Sequence, residues 1–211
     1  MRPSVRDAFP SWSATFEGDA VPWPYLDAKS LVTLGTGQLC DPFPAMNGIR
    51  FIRPDGSTPT SSEVSAMWLR TKGSRGKLVP FKGSMVPVEK VGGGNEYWQY
   101  LNTLRATPES MASDLVNRAH AFEADLRITF PDYDAWPACA QLAILGFCWA
   151  AGSHAFGHFP KFTAALRAQD WTTAARECHL DETGNPGLKP RNVAQRTLFE
   201  KAAAGGDPDA L

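Results

Sequence analysis

Apolar residues follow two different rhythms along this chain, and the change falls near residue 107. Beyond it, Met111, Leu115, Ala119, Phe122 and Leu126 recur at spacings of three and four, one apolar stripe along a helix. The preceding "TPES" offers Thr107 as N-cap, Pro108 at the first helical position and Glu109 in the first turn. Ala138 to Ala151 is apolar except for Gln141. It falls short of the roughly 20 residues a membrane span needs, so it reads as a buried central helix that starts near Asp134, has Pro137 in its first turn and ends at Gly152. "FPKFTAALRAQDW" and "WTTAARECHL" read as two shorter amphipathic helices, and "PRNVAQRTLFEKAAA" as a last one before the tail "GGDPDAL".

Before residue 107 the pattern is more broken. Trp12 and Phe16 stand at i and i+4, predicting a short helix from Ser11 to Glu17 that Gly18 stops, with Glu17 at its C-terminal end. Pro22 and Pro24 forbid helix afterwards. Tyr25–Asp27 and Leu31–Leu34 read as the strands of a hairpin turning at "DAKS", which brings Asp27 and Thr33 towards Glu17. From Cys40 to about Ala106, glycines, prolines and short apolar pieces predict short strands and turns, with one helix around Ser62–Arg70. There is no internal repeat, and the sum is an α+β chain.

At 211 residues, 43% hydrophobic and 20% charged, the chain suits a folded protein of one large domain or two unequal lobes sharing a core. Its 21 Lys and Arg against 22 Asp and Glu supply no overall field for nucleic acid or an anionic membrane. The one cationic stretch is Arg70 to Lys90, with six basic residues against Glu89, most simply a solvated hairpin. "MRPSVRDAFPSWS" lacks the apolar segment of a secretory signal, so synthesis in the cytoplasm is expected. The four cysteines are read as buried free thiols: Cys139 and Cys148 fall on opposite faces of one helix, while a Cys40–Cys178 bridge stays open. His154 and His158 have i, i+4 spacing, but Gly152 and Gly157 argue for a loop, so neither a metal nor any other cofactor is expected.

"YLDAKSLVTLGTGQL" resembles the Y-x-D-x-x-G-x-x-T-I-G-x-G-H-L hairpin of the phage-type lysozymes, glycoside hydrolase family 24, with Tyr25, Asp27, Thr33, Gly35, Gly37 and Leu39 in register. Glu17 and Gly18 match the family's Glu-Gly, with one extra residue before the aspartate. "FPKFTAALRAQDWTTAARE" and "GLKPRNVAQRTLF" are similar to the family's later helices, so the likeness spans residues 11–39 and about 107–203. Gln38 stands where the family usually has histidine, and Asn192 occupies one of two family arginine positions. The resemblance implies one lysozyme-like domain over residues 1–211: a catalytic helix and hairpin (11–39), an enlarged insertion (40–106) in the small lobe, and a mainly α-helical lobe (107–203) beyond a cleft.

The chemistry of such a site needs a proton for the leaving oxygen and a nucleophile or water across the ring. Glu17, at a helix end beside Phe16 and Trp23, is expected to be desolvated enough to stay protonated as general acid, with Asp27 ionised on a polar hairpin. The resemblance gives Thr33 the water-holding role, and makes Arg191, ahead of Arg196, the candidate to contact the Glu17 side of the cleft. Tyr97, Trp98 and Tyr100 in "EYWQYL" are flat side chains suited to stacking on sugar, although core packing is the commoner fate of such aromatics, and the Arg70–Lys90 stretch could attract an anionic glycan or peptide stem. The carboxylate separation, which decides between inverting and retaining chemistry, is not legible.

The implied function is a monomeric muramidase cutting between N-acetylmuramic acid and N-acetylglucosamine, reaching the wall through a holin, a virion or a secretion system. It would serve as a phage endolysin or as a toxin effector, the latter partnered by an immunity protein. The alternatives are a non-catalytic wall-binding or phage structural module of the same fold, and a chitin-active glycosidase.

Overall fold

The computed structural model describes residues 1–17, 20–183, 185 and 187–211. They mix α-helices with small antiparallel sheets, in keeping with an α+β chain. Two compact units emerge, one of residues 1–16 with 116–211 and one of residues 17–115.

In the helical unit, α1 (Pro3–Glu17) is longer than the expected Ser11–Glu17. Val5, Phe9 and Ser13 are buried at spacings of four, so the apolar face simply continues N-terminally. Pro10 sits inside the helix, where it lacks the N–H that would reach back a turn. Gly18, expected to end α1, lies outside the described residues.

The later helices follow the sequence closely: α4 (Pro108–Thr129), whose first turns up to Leu115 belong to the other unit together with α2 (Ser61–Lys72) and α3 (Glu96–Leu101), then α5 (Ala138–Ala151), α6 (Pro160–Arg167), α7 (Trp171–Glu177) and α8 (Leu188–Ala204). Thr107 caps α4 through Oγ1, which accepts from the Ser110 N–H at 3.3 Å. A 3-10 turn over Tyr133–Ala135 delays the start of α5. From there Ala138 to Cys148 is buried without interruption, and α5 packs against α8. At Gly146 a methyl group would stand 2.2 Å from the Trp12 ring, so glycine is what lets α1 lie on the α5 backbone.

The other unit opens with β1 (Val21–Leu26), β2 (Val32–Gly35) and β3 (Gln38–Leu39) in one antiparallel sheet in chain order. Tyr25 faces Thr33, Leu26 faces Val32, and Thr33 faces Leu39. The register slips between Val21 and Tyr25, where Pro22 and Pro24 have no N–H to donate.

After Cys40 and a 3-10 turn over Phe43–Met46, the chain up to Ala106 is closed off by a pairing of β4 (Phe51–Ile52) with β7 (Arg105–Ala106). Between them lie α2 (Ser61–Lys72), the hairpin of β5 (Leu78–Phe81) and β6 (Ser84–Pro87), and α3 (Glu96–Leu101). α2 is the helix expected around Ser62–Arg70. "EYWQYL", expected among strands and turns, is helical instead, because Asn95 Oδ1 accepts from the Tyr97 N–H at 2.9 Å and caps it.

Two polar braces tie this segment to the hairpin of β1 and β2. Buried Asn102 donates through Nδ2 to the Pro24 carbonyl at 2.7 Å and to Thr71 Oγ1 at 3.1 Å. Lys72 pairs with Asp41 and donates to the Ser30 carbonyl at 3.1 Å, while Asp41 Oδ2 accepts from the Val32 N–H at 3.1 Å. Burial works against the Asp41 charge, but the hydrogen bonds from Lys72 and Val32 outweigh it and hold this carboxyl below its ordinary range. Lys72, read from sequence as part of a solvated cationic stretch, is therefore a structural cation.

α2 starts in a reciprocal cap, Thr60 Oγ1 accepting from the Glu63 N–H and the Glu63 carboxylate from the Thr60 N–H. Arg53 grips the same carboxylate with Nε at 3.0 Å and Nη2 at 2.6 Å. The Arg53 bonds first, and the Thr60 bonds after them, lower Glu63 from 4.5 to about 2. A carboxyl depressed on folding stabilises above its unfolded pKa and stops doing so as pH falls through the folded one. Glu63→Gln is thus expected to lower the urea midpoint at pH 7, with the difference from wild type shrinking between pH 4.5 and about 2. A difference constant over that range would show that the Glu63 charge contributes nothing.

All four cysteines are buried free thiols. Among the described residues no helix is long and apolar enough to cross a membrane, and no cluster of three or more His, Cys, Asp or Glu could hold a metal ion.

Candidate functional site

The sequence-predicted acids both border the β1–β2–β3 sheet, Glu17 at the turn between β2 and β3 and Asp27 at the turn between β1 and β2. Glu17 is the last residue of α1 and is half-buried. Its carboxyl lies on the glycine turn between β2 and β3: a methyl group built at Gly37 would fall 2.6 Å from Glu17 Oε2 and 3.0 Å from Cδ. Gly37 also has φ +82°, a conformation that side-chain-bearing residues rarely take. Both facts assign the second glycine of "TLGTG" the task of letting the chain turn directly under the Glu17 carboxyl.

Asp27 sits at the corner where β1 turns to β2. Its Oδ1 accepts from the Lys29 N–H at 2.8 Å and from the Leu31 N–H at 2.9 Å, while its own N–H donates to the Leu31 carbonyl at 2.9 Å. This is an aspartate-built turn, with Ser30 at φ 61° inside it. Thr33 is 4% exposed, and its hydroxyl donates to the Leu31 carbonyl at 3.3 Å, leaving its oxygen lone pairs available.

Tyr25, directly opposite Thr33, shares its face of the hairpin. Burial first, and then the negative charges of Glu17 and Asp27, push its phenol well above its ordinary value. Tyr25 is therefore a neutral O–H group throughout the working range, and it feels both carboxylates.

Gln38 is buried and fully engaged. Its Nε2 donates to the Met111 carbonyl at 2.9 Å and to Asp114 Oδ2 at 2.8 Å, and its Oε1 accepts from the Thr36 N–H at 3.3 Å. The glycine turn is thereby fixed to the first turns of α4. A methyl group at Gly35 would fall 1.8 Å from Gln38 Oε1, so the first glycine of the turn makes room for this amide. Gln38→Ala strips a buried carbonyl and a carboxylate of a donor and is expected to cost about 2 kcal/mol. The denaturant midpoint checks it, and an unchanged midpoint would show that water replaces the amide at no cost.

Arg191 lies in the helical unit, on α8, and is 2% exposed. Its Nη1 donates to the Gly146 carbonyl at 3.1 Å, and the guanidinium stands 5.1 Å from the Phe16 ring and 6.0 Å from the Trp12 ring. Arg196 is exposed. Asn192 clamps the backbone of Leu180 by accepting from its N–H at 3.0 Å and donating to its carbonyl at 2.8 Å.

The aromatic segment divides by residue. Trp98 is 0% exposed and packs edge-on to Tyr97 at 4.9 Å, so it belongs to the core and offers no face to a sugar. Tyr97 is half-buried, its hydroxyl bonded to Ser74 Oγ at 2.9 Å, whereas Tyr100 is 79% exposed. His154 stands out in solvent near Asp125 at 4.0 Å and joins no metal cluster among the described residues.

Sequence reasoning missed the groups that hold the hairpin in place, namely Asp41, Lys72, Asn102 and Asp114. Their only signal was polarity beside apolar runs. Comparison with family models, curated proteins and solved structures finds no match to this chain.

Proposed function

We propose that this chain is a peptidoglycan hydrolase of the muramidase type, with a lysozyme-like fold, that cleaves the β-1,4 bond between N-acetylmuramic acid and N-acetylglucosamine. The single observation that carries the reading is the Glu17 carboxyl lying on Gly37 of the hairpin that also bears Asp27 and Thr33. Glu17 donates its proton to the glycosidic oxygen as the C–O bond breaks, and the Asp27 carboxylate faces the positive charge developing on the sugar. A water held by Asp27 and Thr33 then adds to the anomeric carbon and gives its proton to the Asp27 carboxylate, and exchange with solvent returns Asp27 to its ionised form and Glu17 to its protonated form. The neighbouring Tyr25 phenol, kept neutral, adds a hydrogen-bond donor without a further negative charge.

The enzyme works on the cell wall, delivered by a holin, a virion or a secretion system, as a phage endolysin or as an antibacterial effector. In the second role its partner is an immunity protein. Purified protein added to insoluble peptidoglycan is expected to clear turbidity and release reducing ends, and to leave chitin oligomers intact. Retained binding without any release would instead identify a wall-binding module. One observation favours that second reading: the two backbone N–H groups on Asp27 Oδ1 give this aspartate a structural task that needs no chemistry.

A further inference from the structure

The insertion carries a cavity of about 560 Å³ that the chemistry above does not use. Its size falls within the roughly 300–1,000 Å³ of small-molecule sites. The walls are Phe81 from β5, Val91, and Asn95, Glu96, Tyr97 and Tyr100 at and along α3. Tyr100 is the exposed ring of the set, and Tyr97 is fixed by its bond to Ser74. The Lys82 ammonium lies over the Phe81 ring at 5.3 Å, which leaves stacking to the two tyrosines. Asn95 spends Oδ1 on its cap, and its Nδ2 remains a donor beside the acceptor carboxylate of Glu96.

The cavity is joined to the hairpin through its own rim. Between Val91 and Gly94, both lining residues, Gly93 packs so closely on β1 that a methyl group there would stand 2.6 Å from the Tyr25 ring. The Gly93 carbonyl also accepts from Trp23 Nε1 at 2.9 Å. The same short loop thus touches the tyrosine that feels Glu17 and Asp27 and borders the cavity.

We infer that this cavity is an accessory saccharide subsite, taking a neutral N-acetylated hexosamine ring of the glycan strand. Flat rings match the C–H faces of a pyranose, and an amide donor beside a carboxylate acceptor matches its hydroxyl and acetamido groups. Glu96 is the charged wall residue, and its sign disfavours the carboxylates of a stem peptide, so the sugar rather than the peptide is the occupant. The choice of occupant rests on the peptidoglycan reading, whereas the existence of the subsite does not need turnover.

The test is an amide NMR titration of full-length Glu17→Gln protein with the N-acetylglucosamine tetramer. The expected result is saturable shifts at Phe81, Asn95, Tyr97 and Tyr100, with Tyr100→Ala weakening that affinity roughly three- to tenfold. Ile128→Ala, at an 82% exposed position in the helical unit, serves as control and binds as the parent does. Shifts confined to residues 21–39, shifts nowhere, or an affinity indifferent to Tyr100→Ala would each overturn the subsite. Subsite shifts without wall hydrolysis by the wild type sink the muramidase reading alone. Hydrolysis without subsite shifts sinks only the accessory site.

Discussion

Glu17→Gln is expected to slow reducing-end release from peptidoglycan by about 10²–10⁴-fold, the usual worth of a positioned general acid. Glutamine keeps the size of the side chain and its place on Gly37, where the carboxyl now lies, but it has no proton to give. The effect should therefore appear in kcat, with binding to insoluble peptidoglycan retained and the thermal midpoint close to that of the wild type. Initial rates at saturating and limiting substrate separate these, and a variant that keeps wild-type kcat would remove Glu17 from the chemistry.

Gly37→Ala is the second large effect, and it has two separable parts. Holding an alanine at φ +82° costs about 1–2 kcal/mol. The new methyl group would also press on Glu17 Oε2 at 2.6 Å, and the far end of that side chain gives way more readily than the hairpin backbone. A catalytic group displaced by about 1 Å typically loses 10²-fold in rate. Gly56→Ala supplies the matched control, because Gly56 has the same φ of +82° but nothing within 4 Å of a new methyl group. Both variants should lose similar stability, and only Gly37→Ala should lose activity. Equal losses of activity in the two would mean that backbone strain, and not the seat of Glu17, is what matters.

The hairpin was legible because its punctuation is local. Pro22 and Pro24 exclude helix, "DAKS" supplies the turn, and the glycines of "TLGTG" mark left-handed positions, which Gly35 and Gly37 take at φ +59° and +82°. The α4 start was equally local, since Thr107, Pro108 and Glu109 act within one turn. What escaped the sequence was set by distant partners or by fine differences of phase. Pro10 masked the first half of α1, whose buried face is visible only once Val5 and Phe9 are seen to pack.

In a six-residue helix such as α3, tyrosine and tryptophan alternate between core and solvent over a few residues, so Trp98 and Tyr100 looked alike and ended at opposite extremes of exposure. Arg191 is singled out by resemblance as a cleft cation, and its burial against Gly146, Trp12 and Phe16 comes from tertiary packing that the helix pattern does not show. The pairing of Lys72 with Asp41 and the bond from Asn102 to Pro24 link residues far apart in the chain, which no local pattern encodes. The candidate site was thus readable in its acids and its glycine turn, and hidden in the braces that hold them.

The most direct measurement is the identity of the sugar at each new chain end after wild-type protein digests purified peptidoglycan, read by borohydride reduction and mass spectrometry. The account predicts reduced N-acetylmuramic acid in fragments from the wild type and almost none from Glu17→Gln. New ends on N-acetylglucosamine, or muramic acid ends formed equally well by Glu17→Gln, would contradict it.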